Sequence, residues 1–467
     1  MAQNIRSTDL DNFVSEVFAK NRMAGASVLV AEKQKILLNK GYGFAHVGLQ
    51  VKADKHTKYN LVGPGMIILG AAILQQVERG RLALDNEVSQ YLPQFPTKGK
   101  KITIRHLLSS TSGLPDYHYL GDPLESVNHA MHLDEIIQLF SGRDFVIEPG
   151  SRFDWSVSNF ALLVAVLEAS TGQTYEQYLQ ENFFSPASTK NIQYYNPYLS
   201  ITNYAQGYKL ADTLLTTASE TLLKYDPHFR VIGTAEDLFT IWDGIKGGKL
   251  LSPSLFKLMT DSTEAVTNNS AHFRYAIASR REEWGSAIGF RGGMPGYSTY
   301  FAYFPATDIT IIVLSNTSPQ QAYEIGRQLE RYLHGWPPLP HTKQENKSIE
   351  ILPVSKTEEE QLAGTYRLSR NPGRLPVPES FILFQRTLRI FSEHNQLMFQ
   401  LKGESPQKLF KATDGNFYLD NRTDIAIRFT TKEGTTEIEI RHKNSDIDRG
   451  KKSGPPDVKN FHAPLER

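Results

Sequence analysis

Apolar and polar positions follow two different rhythms along this chain. Residues 8–21 place Leu10, Phe13, Val14, Val17 and Phe18 three and four apart, which predicts an amphipathic helix. The stretch ASVLVAEKQKILLNKGYGFA (26–45) carries two apolar runs around a polar turn at Glu32–Lys35 and predicts a β-hairpin. MIILGAAILQQVER (66–79) predicts a strongly apolar helix stopped by Gly80. NFALLVAVLEAST (159–171), closed by Gly172, is apolar nearly all round and is expected to be buried. STYFAYFP (298–305) and ITIIVLSN (309–316) read as adjacent antiparallel strands turning at Ala306-Thr307-Asp308.

The rhythm changes after residues 335–358, GWPPLPHTKQENKSIEILPVSKTE, whose proline and charge predict a linker. Beyond it the apolar runs are short and alternating: TYRL, SFILFQ (380–385), LRIFSE, LMFQLK, FYLD, IAIRFTT and TEIEIRH. Asp414-Gly415 and Glu433-Gly434 punctuate them as turns. The pattern predicts a small antiparallel barrel or sandwich over 359–443. The polar segment 444–467 is expected to be a mobile tail.

Composition removes several function classes. The chain has 467 residues, which suits more than one domain, and 40% of them are hydrophobic, enough for a large core. Lys plus Arg number 51 against 50 Asp plus Glu, so no global basic field draws nucleic acid or anionic membrane. There is no cysteine, which excludes disulfides, thiolate nucleophiles and Cys-based zinc sites. The start MAQNIRSTDLDNFV has no charged-then-apolar leader pattern, and no long apolar run is present to span a bilayer. The expectation is a cytoplasmic protein with no metal or organic cofactor.

A set of strings then lines up in order: GYGFA (41–45), TKYNLVG (57–63), AAILQQVERGRLALDNEVSQYLPQFP (71–96), ITIRHLLSSTSGLPDY (102–117), EPGSRFDWSVSNFALL (148–163), GTAEDL (233–238) and GFRGGMPGYS (289–298). In order and spacing they resemble the serine β-lactamase-related family of class C enzymes, DD-peptidases and esterases, over roughly residues 8–333. LAGTYRL (362–368) resembles the opening of the lipocalin-like domains fused to that family. The resemblance implies an α/β (α+β) fold: an antiparallel sheet flanked by helices plus an all-helical subdomain in 1–334, followed by a small antiparallel β-barrel.

The family's chemistry uses three motifs, and this chain departs from each. Ser-x-x-Lys places nucleophile and base on one helix face. Aligning Thr57-Lys58-Tyr59-Asn60-Leu61-Val62 with the lead-in, and counting back from AILQ (72–75), both put the nucleophile position at Gly63 and the lysine position at Met66. Tyr-x-Asn becomes Trp155-Ser156-Val157, and the histidine of His-x-Gly becomes Phe290. None of these five side chains serves as nucleophile, base or proton donor. Ser254 and Lys257 are formally Ser-x-x-Lys, but the stretch reads as a capped helix away from the cleft. Ser156 and Ser158 have no motif lysine or histidine beside them. His106, His118 and His228 read as structural or surface residues.

The replacements point to an apolar, aromatic cleft at Gly63, Met66, Trp155, Val157 and Phe290, edged by Tyr117, with Arg291 and Arg230 adding positive charge. Such a cleft suits a small apolar or aromatic ligand with a carbonyl or carboxylate. Asp154, Tyr59, Arg291 and Arg230 are the candidate polar or catalytic groups. Each has a plainer reading: Met66 and Val157 as filler, Trp155 and Phe290 packed on each other, and Arg291 paired with Glu283. Three functional readings follow, in order of preference. They are a non-covalent isomerase or cyclase, a ligand-binding or regulatory pseudoenzyme, and a scaffold. A hydrolase with a relocated nucleophile stands outside them. An open cleft with a polar group aimed into it favours the enzyme, and a cleft closed by the two rings favours the scaffold.

Overall fold

A computed structural model describes residues 6–119, 131–196, 198–211, 214–218, 230–261, 266–268, 271–282, 285–318, 321–338, 351–370, 387–393, 396–401, 406–419, 422–432, 435–442 and 447–454. The expected strand at 380–385, Glu283 and His228 lie outside them. Contacts divide the chain near residue 339 into two compact units.

The first unit starts with the amphipathic helix read from the sequence, α1 (Ser7–Lys20), which buries Leu10, Val14 and Val17. The hairpin follows as β1 (Gly25–Glu32) and β2 (Lys35–His46), then β3 (Val51–Lys52) and β4 (Tyr59–Asn60). The helical layer comprises α2 (Gly63–Glu78), α3 (Ile104–Leu108), α4 (Leu133–Ser141) and α5 (Ser158–Thr171). All of α5 from Ser158 to Leu167 is buried, as its all-round apolar surface requires, because α2, α3 and α4 surround it. Its end at Gly172 has φ +70, the left-handed cap that glycine takes without strain.

Short pieces lead back to the sheet: α6 (Tyr175–Leu179), α7 (Ser185–Ala187), β5 (Gln193–Tyr194), β6 (Tyr208–Ala211), β7 (Leu214–Thr217), β8 (Val231–Gly233), α8 (Ala235–Lys246) and α9 (Pro253–Thr260). The sheet is completed by β9 (Val266–Asn268), β10 (Ala271–Arg274), β11 (Ile277–Glu282), β12 (Gly285–Met294), β13 (Tyr297–Phe304) and β14 (Ile309–Ser315). The strand order is β3-β2-β1-β14-β13-β12-β11-β10-β9, and every pairing is antiparallel. The unit closes with β15 (Thr317–Ser318) and α10 (Gln321–Leu333).

One sheet face packs on α1 and α10. Leu10 and Val14 meet Val28, Val30, Ile311 and Val313, and Ile325 and Leu329 join from α10. Burying each such side chain contributes on the order of 1.5–3 kcal/mol. The edge of this core is held by Asp11, which accepts from Lys40 Nζ at 2.7 Å and from the Tyr42 hydroxyl at 3.0 Å. The Lys40 hydrogen bond is the chief reason that the Asp11 carboxyl titrates below the usual range. A carboxyl whose folded value is depressed stabilises the fold above its unfolded value and stops doing so as pH falls through the folded one. Melting curves of wild type and Asp11→Asn should therefore differ most at neutral pH and converge only once pH has fallen below the depressed folded value, on the acid side of the ordinary carboxyl value of about 3.9.

The second unit is an antiparallel barrel running from Ile351–Leu352 to Ile447–Gly454, with Gln407–Ala412 pairing Phe417–Leu419 to bring its ends together. Leu388, Ile390, Phe399, Leu409, Phe417, Ile427, Ile438 and Ile440 fill it. Two boundary expectations need correction. Ile351–Leu352, read as linker, pairs with Lys411 and Ala412. Residues Ile447–Gly454, read as tail, form a strand between Gly364–Arg370 and Thr435–His442. IDRGKKSG has no strand-like alternation. Ladder bonds on both sides make it a strand, which its own composition does not.

Candidate functional site

The site forms where the start of α2 meets β12 and the turn before α5. Val62, the residue before α2, has φ 47 and ψ −115, a backbone state costly for a β-branched residue. Its N–H donates to Asn60 Oδ1 at 2.7 Å, and Pro64 suits the first helical turn. Gly63 and Met66 lie one helical turn apart on α2, and both are buried.

Phe290 decides the shape. A Cβ placed on Gly63 would lie 2.2 Å from Phe290 Cδ1 and 2.7 Å from Cε1. The ring therefore fills the volume in which any side chain at position 63 would sit. Gly292 completes the closure, since a Cβ there would come within 2.4 Å of the Gly63 nitrogen. The Phe290 ring also packs on Trp155, centroids 6.0 Å apart, and Trp155 packs on Phe160 at 5.3 Å. Exposure falls to 4% for Phe290, 8% for Trp155 and 0% for Met66 and Val157. Gly63, Phe290 and Trp155 thus pack in succession, and Met66 and Val157 are fully buried.

The candidate polar groups fare differently. Phe290 and Arg291 are neighbours on a strand, so they point to opposite faces. Arg291 lies on the α10 side, its guanidinium 4.6 Å from the Tyr323 ring centroid, and does not enter the cleft. Tyr59 is wholly buried, its hydroxyl 3.3 Å from Ser27 Oγ, and burial raises its pKa far above the usual value. It is a core residue rather than a proton donor at a pocket edge. Arg230 donates to the Met131 carbonyl at 3.1 Å and to the Tyr194 hydroxyl, so it ties down the start of the α4 segment. Asp154 is half-buried, with its backbone N–H on the Ser110 carbonyl. Tyr117 is buried and stacks on Phe140.

The serines near the site are occupied structurally. Ser158 Oγ donates to the Pro115 carbonyl at 2.6 Å and accepts from Tyr117 N–H. Ser112 Oγ donates to Asn159 Oδ1, and Ser156 Oγ accepts from Ser158 N–H. These bonds tie TSGLPDY to the α5 start and give no serine a basic partner. Ser252 caps α9, while Ser254 and Lys257 are exposed. The strain at Val62 had no signal in the sequence. The outward aim of Arg291 did have one, the period of two along its strand.

Known proteins resemble this chain at three levels. The family model described as Beta-lactamase matches residues 10–334. Protein flp of Staphylococcus aureus (strain MW2) is 30% identical over 327 residues, covering 68% of this chain and 64% of its own length. Penicillin-binding protein 4* of Bacillus subtilis (strain 168) is 24% identical over 461 residues, 92% of this chain and 95% of that one, so that likeness extends into the second unit. Among solved structures, the octameric penicillin-binding protein homologue from Pyrococcus abyssi superposes with a TM-score of 0.64 at 18% identity. It covers 95% of this chain and all of its own. EstCE1, a hydrolase with promiscuous acyltransferase activity, gives 0.60 at 21% identity over 70% of this chain and 98% of its own. At these identities the structural likenesses speak for fold alone. No helix among the described residues is long and apolar enough to cross a membrane. With the sheet order, the helical layer and a family match over most of its length, this chain belongs to the beta-lactamase family.

Proposed function

We propose that this chain is a non-hydrolytic, catalytically silent member of the beta-lactamase family that acts by binding, as a scaffold or regulatory pseudoenzyme. The observation that carries this reading is the Phe290 ring lying in the space of a position-63 side chain. A covalent serine mechanism needs a nucleophile there with a base one turn on, and here Gly63 is covered and Met66 is the residue one turn on. The sequence alone favoured a non-covalent isomerase or cyclase, which requires a polar group aimed into an open cleft. Tyr59 in the core, Arg291 on the far sheet face and Arg230 on the Met131 carbonyl weigh against that requirement. Asp154, next to Trp155 in the chain, is half-buried. A small apolar or aromatic ligand with a carbonyl or carboxylate is the second reading, and it requires the Trp155–Phe290 contact to open.

The test is acylation. Fluorescent penicillin and a fluorophosphonate probe are incubated with the purified chain beside an active serine penicillin-binding protein. No labelling of this chain is expected, while the control labels. Stable labelling at any serine here would end the proposal. In the same preparation, native mass spectrometry against extracts of the source addresses the second reading. A small molecule retained by wild type and lost from Trp155→Ala/Phe290→Ala would move the function back into the cleft.

A further inference from the structure

The main sheet has an unused margin. β3 pairs with β2 only at Phe44 and His46, and Ala53 N–H continues to the Gly43 carbonyl. Residues Lys35 to Lys40 of β2 thus pair with β1 on one side and with no strand among the described residues on the other. Beside this margin lies a groove of about 290 Å³, walled by Ser7, Thr8 and Asp11 of α1 and lined by Ile36 to Lys40. An open strand edge offers a row of backbone donors and acceptors to any extended segment.

Side chains along the margin are anchored to the first unit. Leu38 is locked in the core, Lys40 is paired with Asp11, and Asn39 Nδ2 donates to Glu236 Oε2 at 2.8 Å. A preordered edge keeps the entropy cost of adding a strand low. Ile36, 36% exposed, gives the groove an apolar shelf.

Charge selects the occupant. Lys33 and Lys35 are exposed at one end, and neither has an ion-pair partner among the described residues. The start of α1 at the groove wall adds no free charge of its own, since its first turn carries Asp9, which pairs with Arg6. A second copy laid antiparallel in full overlap would set Lys35 opposite Lys40 twice, four ammonium groups with only the two Asp11 carboxylates to offset them, which opposes that pairing. We propose that this margin is a docking site for an extended, acidic segment of a partner protein. The segment adds as a strand to β2, with an apolar residue on Ile36 and carboxylates near Lys33 and Lys35. This inference is independent of the closed cleft and stands or falls without it.

Two fluorescent peptides of alternating valine and threonine, one ended by aspartates and one by lysines, test it with the full chain. The aspartate peptide should bind about tenfold or more tightly than the lysine peptide and weaken as salt rises. Lys33→Glu/Lys35→Glu should reverse that preference with an unchanged melting temperature, and Ile36→Ser should weaken both peptides. Amide hydrogens of residues 36–40 should gain exchange protection only when the aspartate peptide is present, which a merely electrostatic contact would not produce. Equal binding of the two peptides, absence of binding, or no protection overturns the proposal. Protection that grows with protein concentration alone also overturns it, and would assign the edge to a second copy.

Discussion

Gly63→Ala should destabilise the first unit by about 1–3 kcal/mol or more, although alanine ordinarily favours a helix over glycine. The reason is geometric. Gly63 has no left-handed backbone to relieve, and the added methyl would stand 2.2 Å from Phe290 Cδ1 and 3.1 Å from the Arg291 carbonyl oxygen. The ring cannot yield cheaply because Trp155 backs it. Phe290→Ala alone should cost about 3–5 kcal/mol through the cavity it leaves. The double variant should cost clearly less than the sum, because the alanine at 63 occupies space vacated by the ring. All four tryptophans fall in the first unit, so tryptophan fluorescence during urea unfolding follows that unit. Strict additivity would mean that the two positions do not share this volume. Gly63→Ser/Phe290→Ala should still resist acylation, since Met66 offers the new hydroxyl no base.

The second large effect lies behind the same strand. Glu330 on α10 is wholly buried and bonded to Arg327 and to the Tyr300 hydroxyl. Tyr300 pairs with Arg291 across the sheet, and its ring lies against Gly326, where a Cβ would come within 2.1 Å. Arg327→Met leaves the Glu330 carboxylate buried without this cation and should cost about 3–5 kcal/mol. Arg327→Met/Glu330→Gln should recover much of the loss, because the amide carries no charge into the core. The same fluorescence measurement checks it, and an Arg327→Met variant as stable as wild type would show that the pair has no net weight.

Several elements are legible in the sequence alone. The spacing of Leu10, Val14 and Val17 yields α1, and the polar turn at Glu32–Lys35 yields the hairpin. The turn before Ile309 yields the β13–β14 pair, in the register that sets Phe304 against Ile309. Each of these is local, so a window of residues contains its cause. The strand at Ile447–Gly454 was missed because its cause is the two strands beside it.

The candidate site divides along the same line. Residue order singled out Gly63, Met66, Trp155, Val157 and Phe290 as the positions to inspect, because string spacing is a property of the chain. Composition at those positions also foretold an apolar surface. Whether that surface is a cleft or a core depends on volumes contributed by segments far apart in sequence. Only the tertiary structure brings the Phe290 ring onto the bare Cα of Gly63 and turns Arg291 towards α10. Close packing is a relation between neighbours in space, and a missing side chain on one element is read as room only when another element fills it.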